Sequence, residues 1–285
     1  MKLRLLPILT LLTACAVLCG CGADRSPGEA APSPEPTDAP VTEELTADFL
    51  STGKSDCTIL RIDGLTVLID TADADDYDAI AAVLRGYGVR RIDYIILSHY
   101  DRDHIGAAPM LIRDFEVGAV LRTRYIDKGS EYNALVRAEE AAGTQTVIVT
   151  EDCSIATENG TILIDPPDRD YGDDNNNTQI VTVAYKGKNL LFLGDAKKAR
   201  LEEFLLNAQD SYELIKLPHH GDSNKALLSL LRSAPPVWAV EMVSGEEIVE
   251  EELLKVLGKQ NVTLLCTADG PVRAVWDGEA LTVTQ

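Results

Sequence analysis

All four histidines of this chain stand in two short clusters, SHYDRDHIG at 98–106 and LPHHGD at 217–222, each directly behind an apolar run. Read in order, the first cluster is H-x-D-x-D-H through His99, Asp101, Asp103 and His104. Imidazole nitrogens and carboxylate oxygens are the donors that divalent metals take. The preceding DYIILS reads as a strand, so His99, Asp101 and Asp103 would leave a rigid sheet edge together and could turn several donors toward one point. A chance grouping, or turns capped by histidine and aspartate, is the bland alternative.

Three regions separate by composition. Residues 1–21 have a basic start at Lys2 and Arg4 and an apolar stretch, interrupted by Pro7, that is short for a membrane span. This reads as an export signal. It ends in Leu18-Cys19-Gly20-Cys21, which resembles the lipobox of a bacterial lipoprotein, with Cys21 as the lipidated first residue of the mature chain. LTAC, ending at Cys15, is a second candidate; a plain cleaved signal or an uncleaved anchor are the other readings. Residues 22–43 carry five prolines and almost no large apolar side chains, so burial cannot offset their ordering entropy; the segment is expected to be a disordered tether. Residues 44–285 are long enough for one sizeable core. The expected location is the extracellular face of the cell membrane, held there by the N-terminal lipid, with no obligate protein partner evident.

Behind the leader only Cys57, Cys153 and Cys266 remain, an odd number that forbids a fully paired disulfide framework. Cys57 and Cys266 lie in strand-like runs and read as core thiols. Charge is strongly acidic: 26 basic against 46 acidic residues, a formal −20 that becomes −22 once Lys2 and Arg4 leave. Such a field repels polyanions at long range, which disfavours nucleic acid as a partner against a compact substrate. Solubility alone is an equal account of it.

Short apolar runs predict strands at CTILRI, LTVLIDT, DYIILSH, VGAVLRT, TQTVIVT, TILIDP, QIVTVAY, NLLFLGD, YELIKLP, VWAVEMV, NVTLLCT, VRAVWD and ALTVT. Helical periodicity appears in DYDAIAAVLRGYG, EYNALVRAEEAAG, AKKARLEEFLLNA, NKALLSLLRSA and EEIVEEELLKVLGK. The count suits an α/β chain with two mixed sheets packed face to face and helices on the outer faces, an αββα sandwich. Trp238 and Trp276 fall inside strands and read as core. Gly53-Lys54-Ser55 ends like a phosphate-binding loop, but Asp48 stands where its first glycine belongs and no helix pattern follows.

Taken together the motifs resemble the metallo-β-lactamase superfamily, whose signature is H-x-H-x-D-H behind a strand, then a distant histidine, an aspartate and a final histidine. The likeness spans nearly all of 44–285. Within it, the branch resembled most is the hydrolase domain of ComEC-type DNA-uptake proteins and related free-standing hydrolases, where the second histidine is commonly aspartate and NNxS, GD and HHGS follow. Here those stand as Asp101, NNTQ from Asn176, LLFLGDA with Asp195, and LPHHGD; Asp70 in TVLIDTA and a late TADG complete the series.

The resemblance implies two divalent metal ions, one among His99, Asp101 and Asp195, the other among Asp103, His104, Asp195 and His220, with Asp195 bridging. His220 rather than His219 is the expected ligand because Gly221 follows it. His219 is then free to contact substrate or donate a proton, and is expected to be catalytic together with Asp103. Asn176 and Asn177 are candidates for orienting side chains or substrate, a plain turn being the alternative. Asp101 in place of histidine, and the lack of a third distant histidine, make an oxygen-rich site that suits manganese or magnesium better than an all-imidazole zinc site, so zinc or manganese stays open. STGKSD for DVGQGD, Gln179 for the serine of NNxS and Asp222 for the serine of HHGS are further departures, bearing on substrate.

Two such cations about 3.5–4 Å apart would activate a water and stabilise attacking and leaving oxygens. The leading expectation is therefore a metal-dependent hydrolase of a phosphodiester or related phosphate ester, small or polymeric. A nuclease, a hydrolase of cell-wall phosphoesters or of lactam or lactone bonds, and a non-catalytic ligand-binding lipoprotein are the competing readings. Substrate choice is expected in loops such as 122–135 and 166–178.

Overall fold

A computed structural model describes residues 45–125, 129–245 and 249–285. The leader at 1–21 with Cys21 and the tether at 22–43 lie outside the described residues. Among those described, no helix is long and apolar enough to cross a membrane.

In chain order, β1 (Thr46–Phe49), β2 (Thr58–Ile62), β3 (Leu65–Ile69), β4 (Arg91–Leu97), β5 (Glu116–Thr123) and β6 (Gln145–Val149) enter one sheet. The chain then crosses to build a second sheet from β7 (Cys153–Ala156), β8 (Gly160–Asp165), β9 (Ile180–Tyr185), β10 (Lys188–Phe192), β11 (Leu214–Lys216), β12 (Trp238–Glu241) and β13 (Thr263–Cys266). It returns through β14 (Val272–Trp276) and β15 (Leu281–Thr284). Hydrogen bonding orders the sheets β15-β14-β1-β2-β3-β4-β5-β6 and β13-β12-β11-β10-β9-β8-β7.

Each sheet is antiparallel on one side and parallel on the other. β3 to β6 are parallel, as are β10 to β13. Parallel neighbours need crossovers, supplied by α1 (Tyr77–Gly86), α2 (Arg102–Ile105), α3 (Ala108–Asp114) and α4 (Ser130–Ala142) on the first sheet and α5 (Lys198–Phe204), α6 (Lys225–Ser233) and α7 (Glu251–Lys259) on the second. Local chemistry marks their ends. Asn224 caps α6 by accepting from the amides of Ala226 and Leu227, and Gly143 closes α4 in the left-handed region at φ 65°.

Adjacent side chains on a strand point to opposite faces, and β4 uses this directly. Ile96 joins the layer between the sheets, with Phe49, Leu60 and Leu121 facing Val181, Val183 and Phe192. Ile95 packs outward with Leu84 of α1, Leu111 of α3 and Leu135 of α4. On the far side Leu191 and Ile215 meet Leu201, Leu227 and Leu257 of α5, α6 and α7. The result is helices, sheet, sheet, helices, the sandwich that the strand and helix patterns predict.

Every predicted strand run contains a strand and every predicted helix run a helix. β1, β7, α2 and α3 go beyond the prediction. β1 is four residues with Asp48 buried in it, its carboxylate accepting from the Tyr87 hydroxyl and paired with Arg273, so its apolar signal is weak. β7, α2 and α3 are too short to show a period. Trp276 is buried, edge-on to Tyr185 at 6.2 Å, and Trp238 packs partly buried on the same core. Cys57 is buried, but Cys266 is only half-buried, because its thiol reaches toward the Glu241 carboxylate at 3.3 Å instead of entering the core.

Arg200 of α5 is fully buried and clips the second sheet to the loop behind β8. Its guanidinium donates to the carbonyl oxygens of Thr178 and Asp165, to the Asp165 carboxylate, and to Glu203. Arg200→Met leaves these acceptors without a donor and is expected to lower stability by about 2–3 kcal/mol, read as a drop in the urea midpoint at unchanged m-value. No shift in the midpoint would show that water replaces the guanidinium.

Candidate metal centre

Ligands of open parallel sheets gather beyond the carboxyl ends of the strands, and both parallel halves end at the same rim here. Asp70 follows β3, Ser98 and His99 follow β4, Asp195 follows β10, and His219 and His220 follow β11. α2 starts within the first cluster, so Asp101 lies at its N-terminus and Asp103 and His104 in its only turn. A backbone bond joins the two sheets at this point, the amide of Gln179 donating to the carbonyl of Ser98 at 2.8 Å; within the rim of the second sheet the amide of His219 donates to the carbonyl of Gly194 at 3.1 Å.

The rim holds its side chains on unusual backbone. Asp70, Ala72, His219 and His220 all have positive φ, between 48° and 58°, a region that costs non-glycine residues energy and clusters at functional sites. Gly194, at φ 50°, precedes Asp195; a Cβ there would lie 2.6 Å from Thr178 Cγ2 and 2.8 Å from Ser98 Cβ, so only glycine lets the Asp195 turn approach β4.

Three imidazoles converge on Asp195. Its Oδ1 lies 3.3 Å from His104 Nε2, and its Oδ2 lies 3.9 Å from His99 Nε2 and 3.7 Å from His220 Nε2. The far nitrogens settle which atoms carry lone pairs. His104 Nδ1 donates to Asp70 Oδ2 at 2.8 Å, and His220 Nδ1 donates to the Met242 carbonyl at 3.0 Å. Ser98 Oγ donates to Asp70 Oδ2 at 2.8 Å, so it accepts from His99 Nδ1 at 3.0 Å. In the neutral imidazoles all three Nε2 atoms are thereby left as acceptors facing a carboxylate.

Acceptors do not bond acceptors. His99 Nε2, His104 Nε2 and Asp195 Oδ1 are buried without a hydrogen-bond partner, an arrangement that costs free energy unless a cation lies among them. Donor atoms of His99, His104 and Asp195 fall within 4.8 Å of one another, and so do those of Asp103, His104 and His220. Burial lowers the proton affinity of His104, yet the Asp195, Asp70 and Asp56 carboxylates outweigh it and raise its pKa well above the imidazole value. Positive charge is what this place stabilises. The residues fit divalent cations, with Asp70, Ser98 and the Met242 carbonyl orienting the imidazoles from behind.

Of the remaining sequence candidates, Asp101 Oδ2 lies 3.3 Å from His99 Nε2 and Asp103 Oδ2 lies 3.3 Å from His220 Nε2, both carboxylates being more exposed than Asp195. His220 turns into the donor group, whereas His219 stays out of it, partly exposed, with Nδ1 2.7 Å from Asp222 Oδ2. Asn176 and Asn177 do not reach the donors. Asn176 bonds the Arg200 amide and Asp173, and Asn177 bonds the Tyr171 amide and Asp170, so both build the loop itself. The orienting role expected of them falls to Asn175, whose Nδ2 lies 3.3 Å from Asp195 Oδ2 while its Oδ1 accepts from Lys197.

Sequence reasoning also passed over Asp56, Ser98 and Lys216. Lys216 had a signal, since a lysine inside the apolar run YELIKLP has to be buried against something; Asp56 sat in STGKSD, weighed as a phosphate loop and as a departure from DVGQGD but not for its carboxylate.

The profile of the metallo-beta-lactamase superfamily matches residues 50–237. ComE operon protein 3 of Bacillus subtilis (strain 168) is 21% identical over 189 residues, 65% of this chain and 24% of that protein, so the similarity spans about a quarter of the relative. The metallo-beta-lactamase fold protein YhfI of Bacillus subtilis superposes with a TM-score of 0.56 at 11% identity, over 81% of this chain and 99% of that one.

Asp70 touches the centre only through His104 and Ser98. Asp70→Asn is expected to keep the fold and to weaken divalent-metal affinity about 10–100-fold, measured by titrating Mn²⁺ or Zn²⁺ into metal-free protein. Unchanged affinity would remove Asp70 from the support of the site.

Proposed function

Because this chain belongs to the metallo-β-lactamase superfamily, we propose that it is a metal-dependent hydrolase of a phosphodiester or related phosphate ester, carried outside the cell as a lipoprotein anchored at Cys21. The observation that carries the reading is the set of three imidazole lone pairs turned on one buried carboxylate. His99, Asp101 and Asp195 would hold one cation, and Asp103, His104, Asp195 and His220 the other. Three imidazoles with three carboxylates form an oxygen-rich set that suits manganese at least as well as zinc. When bound, such cations acidify water and stabilise charge on attacking and leaving oxygens.

The chain's own groups do the rest. Asp195 is fixed by burial and by the Asn175 amide, which keeps its carboxylate turned to the imidazoles. His219 lies beside the donors with its ring centroid 6.0 Å from that of His220, and its Nδ1 is 2.7 Å from Asp222 Oδ2, a carboxylate that pairs with the ring once the ring carries a proton. The Nε2 of His219 is then available to give a proton to the departing oxygen or to hold a phosphate oxygen, the role of an oriented imidazole in acid–base catalysis. A compact phosphoester, not extended nucleic acid, is the substrate favoured by the acidic balance, a formal −20 for the whole chain and −22 without Lys2 and Arg4.

Hydrolysis of bis-p-nitrophenyl phosphate with Mn²⁺ or Zn²⁺ tests this. Asp195→Ala is expected to lose both bound metal and turnover. His219→Ala should keep its metal while kcat falls about 10²–10⁴-fold. A wild-type chain that binds two metals and hydrolyses neither phosphodiesters nor phosphomonoesters would refute the phosphoester assignment.

A further inference from the structure

Lys216 is a buried cation that the hydrolytic reading leaves unused. It ends β11, is 2% exposed, and its ammonium contacts the Asp56 carboxylate and donates to the Gly194 carbonyl at 3.3 Å. Asp56 lies 160 positions away and is itself 3% exposed. Its Oδ1 has no hydrogen bond and lies 3.7 Å from His220 Nδ1; its Oδ2 lies 3.9 Å from His104 Nδ1. An apolar pair of the same size would be as stable as a buried ion pair or more so. The charges therefore answer to their surroundings, which are the backs of the metal-facing imidazoles.

Those surroundings can be counted. Asp56, Asp70, Asp101, Asp103 and Asp195 bring five negative charges to the site. Two divalent cations offset four, and the buried ammonium offsets the fifth. Position agrees with the count: donor atoms of Asp56, Asp70 and His104 lie within 4.8 Å of one another, a third group able to hold a cation. His104 Nδ1 already gives its proton to Asp70, so what this place offers an ion is oxygen from Asp56, Asp70 and the Gly194 carbonyl, the donors that hard divalent cations prefer.

Resting on the two-cation reading above, we propose that Lys216 is a resident cation whose ammonium fills a third cation position at Asp56 and Asp70, ties Asp56 away from the imidazoles and limits the centre to two metal ions. A divalent ion there would take oxygen from Asp70 as well as Asp56 and compete with the His104 Nδ1 bond to Asp70. The ammonium holds Asp56 and leaves Asp70 to His104 and Ser98, its single charge being fixed on a strand.

The test compares Mn²⁺ bound per chain, after dialysis, in the wild type, Lys216→Met and the double variant Lys216→Met/Asp56→Asn. About two equivalents in the wild type, about three in Lys216→Met and about two in the double variant are expected, since oxygen donors freed of the ammonium would take a metal and loss of Asp56 would remove that capacity. Equal numbers in wild type and Lys216→Met overturn the proposal. A wild type that binds no metal instead overturns the two-cation reading. Should Lys216→Met fail to fold, recovery of its near-ultraviolet circular dichroism on adding Mn²⁺ supports the proposal. Failure to recover while the double variant folds would reduce Lys216 to a counter-ion, and failure of both would reduce it to a packing stem; either sinks the proposal.

Discussion

The carboxylate of Asp195, 2% exposed and facing the Nε2 atoms of three imidazoles, is the group on which the rest of this structure depends. A buried anion among acceptors is unfavourable unless positive charge joins it. Nearly everything at the rim acts to keep that situation in place. Asp70, Ser98 and the Met242 carbonyl occupy the outer nitrogens of the imidazoles, so the inner nitrogens stay turned toward the carboxylate, where a proton or a cation supplies the positive charge. Asn175 donates to the same carboxylate from the loop and is itself held by Lys197.

Such an arrangement needs a frame that does not yield. The sandwich supplies it by bringing two sets of parallel strand ends to one rim and bonding them across the gap, through the Gln179 amide to Ser98 and its side chain to Leu97. The strained backbone at Asp70, His219 and His220 is tolerated because hydrogen bonds hold each residue: the Asp70 amide to Ile96, the His219 amide to Gly194 and the His220 ring to the Met242 carbonyl. Arg200 plays the same part for the neighbouring loop, where Asn175 sits, with buried bonds to β8 and to the segment entering β9.

How far the site could be read from sequence varied with how local each residue's task is. His99, Asp101, Asp103 and His104 lie within six positions behind a strand, and their spacing announces them. The Asn175, Asn176 and Asn177 run shows the opposite: three identical side chains in a row differ only in where the loop's single 3-10 turn points them, and it points Asn175 at Asp195 and the other two back into the loop. β1 was hidden by Asp48, which is polar to any sequence pattern and buried only because Tyr87 and Arg273 meet it from α1's end and β14.

By itself the sequence determined the layers and the chemistry of the rim. Apolar runs at strand length and helices at three-to-four spacing leave a double sandwich as the arrangement that buries both faces of each sheet, and histidines and aspartates behind those runs can only sit at strand ends. Tertiary structure decided which donors meet and what balances them. Asp56 and Lys216 are 160 positions apart, and neither spacing nor composition pairs them. Burial pairs them, because a charge removed from water has to find its counter-charge wherever the fold brings one within reach.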